Sequence, residues 1–179
     1  MVFCGTPSFS WLDLFFVFAC LVGCFVRRVI ATLPESMPEL CLIRLGIQVR
    51  SVRAVFYAIR LARAIDRSAA EAIVAGAGLL HSERFSLGRK HFGVWQYWRS
   101  FEDLEAWSHR PPHSEWWRQA VERMRTKGDL GIYHETFLVP RDRIESIYLD
   151  CAPAGLAVFG TTGEPVGSMT ASRGRLGRG

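Results

Sequence analysis

The stretch from Leu79 to Ser100 constrains the fold of this chain more than any other. Leu79 to Leu87 and Lys90 to Trp98 are two strand-like runs around Gly88-Arg89, and a glycine first in a two-residue loop suits a type II′ hairpin. Aromatic residues alternate on both faces of Phe92 to Trp98, so neither face can be left to water. Ser100 follows at once. The spacing of Ser100 and Asp103, with Glu102 between them, predicts a helix capped by the serine hydroxyl, its acids placed where the helix dipole favours them. Arg110-Pro111-Pro112 ends that helix near His109.

The flanking segments supply the remaining elements. Cys41 to Val49 is rich in branched and aliphatic residues and reads as a first strand. Val52, Val55, Phe56, Ile59, Ala62 and Ile65 then recur at helical spacing, with Arg53, Arg60, Arg63 and Arg67 on other faces. A second helical piece is expected from Ser68 to Ala75, with Ser68 as its cap and Gly76 and Gly78 stopping it. Another helix is expected from His113 to Thr126, with Trp117, Ala120, Val121 and Met124 on its apolar face. Ile132 to Val139 and Ile144 to Asp150 read as the last strands. The order predicts an α+β fold, a ferredoxin-like βαββαβ sandwich over 39–159 with both helical segments on one face of an antiparallel sheet. Because the other sheet face is also apolar, a homodimer packed sheet to sheet is expected.

The N-terminal segment reads differently. Phe9 to Val26 is apolar apart from Ser10 and Asp13, and as a helix it would extend roughly 27 Å. Arg27 and Arg28 close it. The expectation is a membrane anchor over 1–30 in the form of a transmembrane helix, a linker over 31–38, and a domain facing the cytosol by the positive-inside rule. A cleaved signal peptide and an interfacial or buried helix compete with this reading. Beyond Phe159 the chain is rich in Gly, Ser, Thr and Arg, which predicts a disordered basic tail over 160–179.

A net charge of +5 makes nucleic acid worth testing, but no helix-turn-helix, zinc-finger or RNP-like pattern is present, so no nucleic-acid partner is expected. The arginines that follow the hydrophobic run suit an acidic membrane surface. The five cysteines form neither a disulfide framework nor a zinc pattern.

Three segments carry a family resemblance: Val94 to Glu105, His113 to Trp117, and Gly131 to Phe137. They resemble the fumagillin-pathway type of monooxygenase-like domain within the antibiotic-biosynthesis monooxygenase superfamily, over about Cys41 to Phe159. That resemblance implies a dimeric α/β barrel with a pocket between sheet and helices. It implies oxidation of polycyclic phenols by molecular oxygen without metal or flavin, or, elsewhere on the scaffold, haem binding, dehydration, isomerisation or ligand binding alone.

Candidate site residues follow from position. His134 and Glu135 are adjacent in a strand and point to opposite faces, so one enters the pocket while the other meets the dimer interface or a salt bridge. His134 is a candidate general base, its ordinary pKa lying near neutrality, or else a structural histidine. His113 stands four residues before Trp117 on one helix face, presenting an imidazole to the pocket or serving only as a cap-region residue. Gln96 with Trp98, or Trp95 with Tyr97, should line the pocket, with Gln96 hydrogen-bonding a substrate carbonyl. The expected site is thus His134 and His113 as catalytic groups, with Gln96, Trp98, Trp117 and Glu135 binding a lipophilic small molecule. No metal and no cofactor are expected; a haem on a single axial histidine leaves no spacing signature and stays open.

Overall fold

The computed structural model describes residues 26–178. Strand β1 (Arg28–Thr32) is followed by β2 (Glu39–Val49), helix α1 (Val52–Val74), β3 (Leu79–Gly88), β4 (His91–Trp98), α2 (Phe101–Ser108), α3 (His113–Lys127) and β5 (Leu130–Pro140). Strands β2 to β5 form one antiparallel sheet in the order β3-β4-β2-β5. With the connections between them this is the ferredoxin-like arrangement expected from the sequence. A second, three-stranded sheet pairs β1 with β6 (Tyr148–Leu149) and β7 (Thr161–Gly163).

Helix α1 is one continuous element, which corrects the expectation of a break at Ser68. Ser51 caps it, its hydroxyl accepting from the Ala54 backbone N–H at 3.1 Å. Ser68 is buried mid-helix, where its hydroxyl accepts from the Trp107 indole at 3.1 Å and joins α1 to α2. The residues α1 turns inward are mostly alanines, Ala54, Ala58, Ala64, Ala69 and Ala72, and their small side chains let the helix lie close to the sheet. Ser100 caps α2 as expected, accepting from the Asp103 N–H at 3.1 Å. In the β3–β4 hairpin, Gly88 pairs with His91 and the turn falls at Arg89-Lys90, one residue later than expected, because an irregularity between Ser86 and Gly88 takes up the extra residue.

The core divides into three clusters. Cys41, Leu79, Trp98 and Leu104 pack with Ala69 and Ala72 at one end of the helix-covered sheet face. Ile47, Val49 and Leu130 pack with Ala54 and Ala58 at the other end. The third lies on the opposite face of the sheet, where Ala31, Leu33, Met37, Leu40 and Leu156 enclose Tyr97 and Phe159.

That third cluster corrects several expectations. Residues 28–32, expected to be the end of an anchor and the start of a linker, are β1, paired on both sides. Ile144 to Asp150 forms no strand of the main sheet; only Tyr148–Leu149 pairs, and it pairs with β1. Part of the expected disordered tail is strand β7, and Arg175 of the short helix α4 (Ser172–Arg175) donates to Glu145 at 2.6 Å. Residues 1–25 of the expected anchor lie outside the described residues. Among the described residues no helix is long and apolar enough to cross a membrane, which corrects the expectation of a membrane-anchored, cytosol-facing placement.

Candidate active site

Between the two clusters on the helix-covered face the packing opens into a cleft of about 460 Å³. Strand register determines what lines it. Ile43 of β2 stands level with Gln96 of β4 and Thr136 of β5, and Leu45 stands level with Val94 and His134. Successive rows on one face therefore bring Gln96 and His134 to the two sides of β2, with Cα atoms roughly 10–12 Å apart from strand spacing and rise. Helices α2 and α3 supply the opposite wall through Leu104, Trp107, His113, Trp116, Trp117 and Ala120.

Of the six residues expected at the site, five line this cleft: His113, His134, Gln96, Trp98 and Trp117. Glu135 does not. Alternation along β5 turns it to the opposite face, where it accepts from Arg44 at 3.1 Å. Glu135 is corrected from a substrate-binding residue to one half of an ion pair. Trp98 is the deepest member, at 1% exposure, and its indole donates to the Gln96 side-chain oxygen at 3.3 Å. That bond occupies the amide oxygen and leaves the Gln96 NH₂ as a donor for a ligand.

The two histidines sit in unlike surroundings. His113 heads α3, and burial alone pushes its pKa below the ordinary 6.5. Its Nδ1 is buried with no hydrogen-bond partner among the described residues. Burial thus favours its neutral form, and the Nδ1 keeps its polar capacity unspent. His134 is exposed on the edge strand β5, and its ring lies 6.1 Å from that of Trp117. A half-buried imidazole with its Nδ1 covered and an open imidazole thus share one apolar cleft.

Thr136 and Trp116 also line the cleft and went unassigned in the sequence reading. Thr136 was legible by period-two alternation from His134, whereas Trp116 required the α1–α3 packing, which single-helix spacing does not give.

The far face of the sheet is built otherwise. Gly46 and Gly93 face each other across β2 and β4, and a side chain at either would collide with the ring of Tyr133 or Phe85. Their absence of side chains lets these rings lie on the sheet. The Arg44 guanidinium sits over Phe85, Trp95 and Tyr133 at 5.1, 5.5 and 5.4 Å, and the Tyr133 hydroxyl is 2.9 Å from His91 Nε2.

Residues 40–156 match the family model described as "Monooxygenase af470-like", which spans more than half of the chain. The chain belongs to the af470-like monooxygenase family. Within the family's reach, it is 32% identical over 57 residues to Monooxygenase af470 of Aspergillus fumigatus, covering 32% of this chain and 20% of that protein. Two aldoxime dehydratase structures share its fold. One, in complex with butyraldoxime, superposes with a TM-score of 0.60 at 18% identity over 85% of this chain and 43% of its own. The other gives 0.61 at 19% identity over 87% and 46%. The chain spans about a fifth of the curated family relative and less than half of either dehydratase.

Proposed function

We propose that this af470-like protein is a cofactor-independent oxygenase of secondary metabolism, of the fumagillin-pathway type, acting on a lipophilic, enolisable ring compound bound in the cleft. The observation that carries it is the cleft's composition. Apolar and aromatic walls surround a half-buried imidazole whose neutral form burial favours, an open imidazole and one amide whose NH₂ has no partner among the described residues. Gln96 would hold the substrate carbonyl. His134 or His113 would take the proton from the adjacent ring carbon, giving an electron-rich enolate. The enolate reacts with O₂ at that carbon, and a CH₂ group becomes C=O with release of water, so R₂CH₂ + O₂ gives R₂CO + H₂O. The walls keep water from the anion. The family match supports an enzyme, and the same parts suit proton transfer without oxygen, as in an isomerase or a dehydratase.

The test is oxygen uptake by purified protein with an anthrone-type substrate. Loss of uptake in His134→Gln or His113→Gln, with uptake retained in Glu135→Gln, supports the proposal. Conversion of the substrate without oxygen uptake would assign an isomerase or lyase in its place. A haem would need one axial imidazole, which His113 or His134 could provide. A Soret band after expression with haem supply would replace the cofactor-free account.

We further propose that a second copy covers the part of the far face left open by β1 and β7. Phe137, beside Trp95 on that face, is 43% exposed, and an apolar sheet surface of this kind is buried by pairing. Light scattering should give a dimer for the wild type and a monomer for Phe137→Asp.

A further inference from the structure

A second groove, of about 510 Å³, runs between α1 and α3 on the outer side of the cleft. Arg60, Arg63 and Arg67, spaced three and four residues apart, form one stripe along its α1 side. Tyr57 and Gln119 add a hydroxyl and an amide. Leu61 and Trp116 line both the groove and the cleft, so the two are continuous.

The charge in this groove is one-sided. Among the described residues none of these three arginines forms an ion pair, whereas three neighbouring charges are already matched. Asp66, between them on α1, is held by Arg84, Glu115 on α3 by Arg118, and Arg123 beside Tyr57 by Asp129. Among the described residues no carboxylate lines the groove. Guanidinium groups without partners beside an indole and an apolar hollow match a ligand with an oxyanion at one end and a hydrophobic body at the other.

We propose that the substrate is an amphipathic acid: its apolar body occupies the cleft and its oxyanion head is held in the groove by Arg60, Arg63 and Arg67. This rests on the cleft being the substrate site and adds the chemical class of what enters it. The head group is named only as an oxyanion, since carboxylate and phosphate offer the same acceptor geometry to guanidinium.

The test uses the full chain with a dansylated undecanoic acid and its methyl ester, titrated by fluorescence at low salt. The acid should bind about tenfold more tightly than the ester, as charge-assisted bonds require. The triple variant Arg60→Gln, Arg63→Gln, Arg67→Gln should remove that difference and leave the ester's affinity unchanged. Arg63→Gln alone should remove part of it, which keeps the test intact if the triple variant fails by circular dichroism. Ala120→Phe, which narrows the cleft, should weaken both ligands. Displacement of the probe by laurate, by dodecyl phosphate or by both supports the proposal and tells the two heads apart, whereas equal displacement by dodecanol overturns it. Equal affinity for acid and ester, with Ala120→Phe weakening both, overturns the head-group assignment but leaves the cleft as the site. No effect of Ala120→Phe on either ligand defeats the cleft reading itself. If the arginines change only co-sedimentation with phosphatidylserine vesicles, they serve a membrane surface and the proposal is wrong.

Discussion

The Trp98 indole donates to the side-chain oxygen of Gln96 at 3.3 Å, and this one bond ties the deepest ring of the core to the polar group of the cleft. The two consequences of removing it are separable. Gln96→Leu leaves the buried indole N–H without an acceptor and should cost about 1–3 kcal/mol of stability. Gln96→Glu keeps an acceptor for Trp98 but replaces the NH₂ donor by a carboxyl group that burial keeps protonated to higher pH. At acidic pH, where that carboxyl is neutral, it should unfold closer to the wild type than Gln96→Leu does in denaturant titration, yet lose most turnover. Equal stability of the two variants would show that the bond does not hold the amide.

His113 gives a pH signature. Its folded pKa lies below the ordinary 6.5 because burial disfavours the imidazolium. As pH falls through 6.5 the unfolded chain takes up a proton at this position before the folded chain does. Stability is therefore complete above about 6.5 and declines below it, until the folded pKa is passed. Urea midpoints across this range should show a slope in the wild type that is smaller in His113→Gln. An unchanged slope would contradict the desolvated placement.

Ser68 should behave as a joint between α1 and α2 rather than as a surface serine. Ser68→Ala removes the acceptor of the Trp107 indole and should lower stability by about 1–2 kcal/mol. Thermal unfolding indistinguishable from wild type would mean that Trp107 finds another partner.

The C-terminal segment should be structural. Deleting residues 161–179 removes β7 from β1 and Arg175 from Glu145. The far-face cluster around Leu33 and Leu156 then loses part of its cover, so the truncated chain should melt at lower temperature and bind more of a hydrophobic dye. A truncated chain that melts like the intact one would restore the disordered-tail expectation.

Much of this architecture was legible because it is local. The Ser100 cap, the β3–β4 hairpin and the extent of α3 are written in spacings of two to four residues, and each lies within a residue or so of its expected place, whereas Trp117 and Val121 of the expected apolar face of α3 are exposed. The ferredoxin-like order then followed from element sequence. What was not legible depended on contacts between distant residues. Ser68 looked like a cap until Trp107, 39 residues away, claimed its hydroxyl. The stretch 28–32 looked like the edge of an anchor because its strand partners come from residues 148–149 and 161–163. At the site, alternation along β5 required His134 and Glu135 to part, but only the sheet's packing against the helices decided which of them enters the cleft.

Side-chain NMR during titration with anthrone shows whether the cleft between the sheet and helices α2 and α3 receives the ligand. Binding there should shift the Gln96 amide, the His113 and His134 imidazoles and the Trp117 indole, and leave the far-face Trp95 indole and His91 ring unchanged. Shifts confined to Trp95 and His91, with the cleft residues silent, would place the ligand on the far face and refute the cleft as its site.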